Sequence, residues 1–180
     1  MAAEEFVVGL QDVKIAAWNG IRSYGTAYDC EAVSLYGFTI EALSGRLEGD
    51  QTRVALYSVP IGGSGRIRFA FKDLTLMNVL MGVTEVSSTQ GKAITFGLDD
   101  FPYFAINGRM DHDTGSGAVE MFLPKCKIMQ NVTLEAGYGA TFMTPEIQFE
   151  IAYEDSVYGF GQVITRATAV SVVIPPAALT

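Results

Sequence analysis

Short runs in which apolar and polar residues alternate constrain this chain more than any other feature of its sequence. In residues 66–72, three basic residues alternate with Ile67, Phe69 and Phe71. A period of two is the pattern of a strand with one wet face and one buried face. Nineteen glycines punctuate the chain, and β-branched and aromatic residues fill the intervals between them. The sequence therefore predicts a mainly β protein.

The same pattern predicts strands along most of the chain. In the first half we expect strands at 6–17, 33–47 and 53–59, with a bend at Gly37 or Gly45 and a turn at 48–51. Pro60 is expected to stop the third strand, and residues 61–65 to form a flexible connection. In the second half we expect strands at 93–98, 103–109, 118–128, 132–136 and 147–153. The apolar tail at 170–174 is expected to be pinned onto the domain or onto a neighbour.

One short helix is predicted after the strand at 66–72. The carboxylate of Asp73 can accept hydrogen bonds from the first turn, and Gly82 suits the left-handed position that ends a helix. Because so short a helix is marginal alone, we expect it to dock on the sheet. The docked face consists of the apolar residues that recur at helical spacing, namely Leu74, Met77, Leu80 and Met81.

Size and charge narrow the class of protein. A chain of 180 residues suits one domain spanning 1–180. Twenty acidic and twelve basic residues give a net charge of −8, which disfavours a protein that grips nucleic-acid phosphates. No apolar run is long enough to span a membrane, and the acidic start does not resemble a signal peptide. We therefore expect a protein made in the cytoplasm, with Cys30 and Cys126 as reduced thiols.

Residues 113–116, Asp-Thr-Gly-Ser, match the short signature of aspartic peptidases. That chemistry needs two aspartates that share one proton, so a single copy would have to act as a homodimer. The residues before Asp113 are polar, whereas the peptidase loop follows an apolar strand. The sequence favours a turn at 113–116, and a peptidase that uses Asp113 remains the alternative.

Other short motifs do not form a site. Asp111, His112 and Asp113 precede Glu120, but Gly115 and Phe122 occupy ligand positions of the calcium-binding loop pattern. The glycine clusters at 62–65 and 159–161 lack the flanking residues of phosphate-binding loops. We therefore expect no catalytic residues, no metal and no cofactor. An all-β chain of this kind is more often a binding or assembly protein than an enzyme.

Five segments occur in an order that resembles the tail tube proteins, or major tail proteins, of long-tailed bacteriophages. They are GLQDVKIAA at 9–17, LEGD at 47–50, the strand and helix at 66–82, PYFAINGR at 102–109 and LPKCKI at 123–128. The resemblance covers nearly the whole chain. It implies a β-sandwich or barrel of two antiparallel sheets with one short flanking α-helix, and extended arms at both ends.

The resemblance also implies a function in the virion. Subunits of this family join into hexameric rings that stack into a hollow tube, through which DNA passes without specific binding. The implied partners are further copies of the chain and the tail terminator, tape measure and tail tip proteins. Tubes of contractile tails and of type VI secretion systems share this fold and stay open as alternatives. A cell-surface adhesin is a weaker alternative because a signal peptide is not apparent.

Two groups of candidate residues follow from this comparison. The loop that would contact the next ring comprises Leu43, Arg46, Leu47, Glu48, Gly49, Asp50 and Arg53. Acidic residues would line the channel, because a wall with the charge sign of DNA repels phosphate. The candidates for this lining are Glu41, Glu48, Asp50, Glu120, Glu150 and Glu154.

Overall fold

The computed structural model describes residues 7–49, 52–70, 74–96, 100–112, 117–129, 132 and 145–178. These residues contain ten strands and one helix, so the predicted mainly β fold is confirmed. The elements are β1 (Val7–Gly20), β2 (Ser23–Asp29), β3 (Glu31–Gly49), β4 (Thr52–Ala70), α1 (Leu74–Met81), β5 (Thr84–Ser88), β6 (Gly91–Thr95), β7 (Tyr103–His112), β8 (Ala118–Ile128), β9 (Glu146–Ile151) and β10 (Gln162–Arg166).

Eight of the strands form one antiparallel sheet. Seven follow the order β2-β1-β7-β8-β9-β4-β3, and β10 also pairs with β8. Strands β5 and β6 form a separate hairpin. Strands β2, β5 and β10 are absent from the sequence prediction, and residues 113–116 and 133–136 lie outside the described residues.

The sheet divides where β8 changes partners. The first half of β8 pairs with β10, and only Cys126, Lys127 and Ile128 pair with β9. Pro124 lies between these halves and has no N–H to donate. The register between β7 and β8 also shifts here, between Phe104 and Ile106. One section of the sheet is therefore β2-β1-β7-β8 with β10, and the other is β9-β4-β3.

The two sections pack against each other in a sandwich-like arrangement. The rings of Phe104 on β7 and Phe149 on β9 meet edge to face, with centroids 5.9 Å apart. Tyr36 on β3 donates its hydroxyl hydrogen to the Met121 carbonyl on β8 at 2.9 Å. The main core lies between these sections, so the two expected layers are parts of one continuous sheet.

A second buried set lies on the opposite face of β1, β7 and β8. Its apolar members alternate along the strands with residues of the main core, and strand β10 and the tail contribute to it. They are Ala16, Ala105, Ala118, Phe122, Ile164 and Val172. The apolar tail is therefore pinned onto its own domain.

Helix α1 closes one side of the main core. Met77, Leu80 and Met81 are buried as the spacing predicts, and Leu76 is buried with them. Gly82 ends the helix with a φ of 65°, and its N–H donates to the Asn78 carbonyl at 2.8 Å. The side chain of Leu74 and all of Asp73 lie outside the described residues.

Strand β4 corrects the prediction that Pro60 ends a strand. It pairs with β3 through Pro60 and through the glycines that follow. Pro60 is tolerated because a bulge places Ile61 out of register there, where the ladder is already interrupted. Gly63 and Gly65 let neighbouring atoms pack closely against β4. A Cβ added at Gly63 would lie 2.7 Å from the Thr39 carbonyl oxygen.

Candidate assembly surface

The β3–β4 hairpin extends well beyond the rest of the sheet. The two strands pair along their whole length, whereas β4 pairs with β9 only from Gly63 to Arg68. Residues 41–49 and 52–62 therefore form a two-stranded arm that has no further strand beside it among the described residues. At roughly 3.3 Å per residue, nine residues of β3 give the arm a reach of about 30 Å.

The described part of the arm exposes apolar side chains. Leu43 and Val59 lie directly opposite each other in the ladder and are 55% and 53% exposed. Ile61, the bulged residue, is 59% exposed. A two-stranded ribbon alone is marginally stable in water, and covering this apolar pair would stabilise it.

The remaining candidates for the stacking loop belong to the far part of the arm. The backbones of Arg46, Leu47, Glu48, Gly49 and Arg53 continue the ladder. Their side chains, and the whole of Asp50, lie outside the described residues. The sequence prediction does not count Val59 and Ile61 as stacking residues, because it places Val59 at the end of the strand at 53–59 and Ile61 in a flexible connection. The alternation of Ser64, Arg66 and Arg68 is the signal that could have extended it.

The strand order of the sheet ends in two free edges, and β10, whose one described partner is β8, leaves a further edge. Strand β3 is one end of the strand order and β2 is the other, so no described strand pairs with the outer side of either. Side chains of residues 39–44 on β3 are all exposed. Unpaired N–H and C=O groups along such an edge are a template for pairing with another chain.

The outer face of β9, β4 and β3 holds two of the predicted acidic residues. Glu150 on β9 pairs in register with Ser64 on β4, and the Ser64 hydroxyl lies 3.5 Å from Glu41 Oε1 on β3. Both carboxylates are exposed, and they border a groove of about 690 Å³. Neither makes an ion pair with any described residue.

The two nearby basic residues on this face share one other acid, Glu146. Arg68 forms an ion pair with Glu146, and Arg66 Nη1 lies 4.0 Å from Glu146 Oε1. Together with Glu41 and Glu150, these five side chains carry three negative and two positive charges. This part of the face carries net negative charge.

Two other acidic candidates are buried, and their prediction as exposed wall residues is wrong. Glu120 is 1% exposed and accepts from Arg166 Nη2 at 3.2 Å. Glu154 accepts from Trp18 Nε1 and from the Arg22 N–H, each at 2.8 Å. Glu120 lies on β8 and pairs in register with Ile164 on β10, whereas Glu154 lies after the end of β9, where Trp18 and the Arg22 N–H contact it.

The described residues include only some of the side chains considered above for catalysis or metal binding. No cluster of three histidine, cysteine or acidic side chains occurs among them, and Asp113 lies outside them. Burial raises the pKa of the Cys126 thiol well above its ordinary value, which disfavours the reactive thiolate. The single described helix is too short to cross a membrane.

Two comparisons with known proteins did not identify a family for this chain. Neither the scan against protein-family models nor the search of curated proteins found a match to this chain.

Proposed function

We propose that this chain is a structural subunit that assembles with copies of itself into stacked rings, which form the hollow tube of a bacteriophage tail. The observation that carries the proposal is the projecting arm with the uncovered apolar side chains of Leu43, Val59 and Ile61. The order of segments that resembles the tail tube proteins supports the same role. The proposed ring is hexameric, as in that family.

In this proposal the arm joins one ring to the next. Its reach of about 30 Å is comparable to the size of a small domain, which is long enough to cross onto another subunit. Burial of the Leu43–Val59 pair against that subunit would supply the apolar core of the contact. The free edges of β2 and β3 would lie between subunits of one ring, where closure removes unpaired edges.

The proposed channel wall is the outer face of β9, β4 and β3. Glu41 and Glu150 would face the passing DNA, and the net charge of −8 has the same sign as the phosphates. Repulsion acts over a Debye length of about 8 Å at physiological salt, so exposed wall charges influence DNA only at close range. A wall of this kind lets DNA pass without binding it.

Electron microscopy of the purified chain at rising concentration tests the assembly. We expect rings or tubes from the native chain and none from the double variant Leu43→Asp, Val59→Asp, which places charges where the apolar contact would form. The matched control is Val163→Asp on β10, because Val163 is 64% exposed but lies away from the arm. A native chain that stays monomeric, or arm variants that form tubes normally, would refute the role of the arm.

The channel wall has its own test in assembled particles. Glu150→Lys should leave tubes intact and slow DNA release, most strongly at low salt, and Glu150→Gln should have a smaller effect in the same direction. Thr165→Lys on β10 is the control for added positive charge elsewhere. Equal release rates for Glu150→Lys and Thr165→Lys would contradict the proposed wall.

A further inference from the structure

The chain contains two Asn-Gly dipeptides, Asn19-Gly20 and Asn107-Gly108, and the fold places them in opposite surroundings. Asparagine is a thermolabile residue. A following glycine makes it more so, because no Cβ hinders the approach of the glycine nitrogen to the asparagine side chain. Since both dipeptides share this chemistry, a difference in their lability must come from the structure around them.

The dipeptide Asn107-Gly108 is held on every side. Both residues lie within β7 and pair in register with residues of β1 and of β8. Asn107 is fully buried, and its Nδ2 donates to the Val173 carbonyl at 2.9 Å. The carboxamide carbon of Asn107 therefore cannot reach the Gly108 nitrogen unless the central part of the sheet opens. Openings of central strands have free energies close to that of global unfolding.

The dipeptide Asn19-Gly20 lies at the end of β1, next to the turn into β2. The pairing of β1 with β7 ends at Ala17, and the register with β2 shifts between Trp18 and Gly20, so Asn19 has no ladder partner in either register. The Asn19 side chain is exposed. Gly20 has a φ of 146°, which favours glycine, and a Cβ at this position would meet no atom within 4 Å. Local opening at such a strand end costs little free energy.

We propose that Asn19 is a site of spontaneous deamidation in the native protein and that Asn107 is protected from the same reaction. The Gly20 nitrogen gives up its proton to base and attacks Asn19 Cγ. The bond between them forms as the Cγ–Nδ2 bond breaks, and ammonia leaves. Water then opens the cyclic imide: cleavage at Cγ gives aspartate, and cleavage at the main-chain carbonyl gives isoaspartate. Water and base are the only co-reactants, and no atom is oxidised or reduced.

The products change the hairpin that carries the edge strand β2. Either product adds one negative charge to this hairpin. Isoaspartate also lengthens the main chain by one methylene, at the point where the register between β1 and β2 already shifts. Aged copies of the chain therefore differ from fresh copies in charge and in local chain path. This modification does not depend on the proposed assembly.

Peptide mapping of the full-length native chain by mass spectrometry tests the proposal. The chain is incubated in mildly alkaline buffer, and deamidation at Asn19 and at Asn107 is followed in the same sample. We expect Asn19 to react about tenfold faster or more, because Asn107 must wait for the sheet to open. The control is the same chain in concentrated urea, where both residues should react at similar rates.

Asn19→Gln is the matched variant, since it keeps an exposed carboxamide but would need a larger ring to react. In this variant position 19 should stay unmodified, and the rate at Asn107 should not change. Equal native rates at Asn19 and Asn107 would overturn the proposal. An Asn19 that stays intact in the native chain, while both residues react in urea, would overturn it as well.

Discussion

Gly65 on β4 lies directly opposite Phe149 on β9, and the absence of a side chain at Gly65 leaves room for the Phe149 ring. A Cβ at position 65 would lie 2.5 Å from Phe149 Cζ and 3.0 Å from the Gly37 carbonyl oxygen. The ring cannot move freely, because it is buried and packs edge to face on Phe104. We therefore expect Gly65→Ala to destabilise the fold.

The expected size follows from two opposing effects. Overpacking a filled core costs about 1–3 kcal/mol. Replacing glycine by alanine recovers roughly 0.4–1 kcal/mol by restricting the unfolded chain. The net loss of unfolding free energy should be about 1–2 kcal/mol, equivalent to roughly 2–8 °C in Tm for a chain of this length.

Gly37→Ala is the matched control, since a Cβ at Gly37 meets no atom within 4 Å. Urea denaturation of both variants measures the difference, and Gly37→Ala should be neutral or slightly stabilising. Adding Phe149→Leu to Gly65→Ala should give a coupling of at least ~0.5 kcal/mol, because the smaller side chain relieves the clash. Equal stability of Gly65→Ala and Gly37→Ala would refute the packing argument.

Three further perturbations have defined outcomes. Leu80→Ala, which empties a fully buried site on α1, should lower the unfolding free energy by ~2–5 kcal/mol in urea denaturation, and an unchanged curve would mean that the helix is not docked. Glu120→Ala should lower the free energy of unfolding by ~3–5 kcal/mol, because it leaves Arg166 unpaired in a buried site. Adding Arg166→Met should recover part of that loss, and no recovery would contradict a role for the ion pair. Burial raises the pKa of both Cys30 and Cys126, so the native protein should resist alkylation at pH 8, and rapid labelling detected by mass spectrometry would contradict this. The free energy of unfolding should fall above roughly pH 8.5, because there the thiols ionise in the unfolded chain and not in the native one.

The parts of the fold that depend on local pattern could be predicted from the sequence. The alternation of apolar and polar residues predicts the strand that carries Ile67 and Phe69, and it also predicts the bounds of β8. Helical spacing and Gly82 locate α1. These features depend on a residue's near neighbours in the chain, which the sequence displays directly.

The parts that depend on distant contacts could not be predicted. Pro60 and the glycines after it are turn formers by composition, but β3 and β9 hold them in the middle of a strand. Glu120 has the alternation of an exposed residue, and only the later β10 segment, with Arg166, makes it an interior one. The acidic face predicted for the channel consequently retains Glu41 and Glu150 among its described candidates.

Strand β4 continues from the arm into the body as one strand with a bulge at Ile61, and this continuity has a mechanical consequence. A pull on the arm acts along the strand axis, parallel to the ladder of six residue pairs between β4 and β9. Those hydrogen bonds lie across the direction of pull, so they share the load and must slide together. A hinge or flexible linker at Pro60 would instead let the arm swing and peel one bond at a time. The domain can thus transmit a pull on the arm into the β4–β9 ladder with little change of shape.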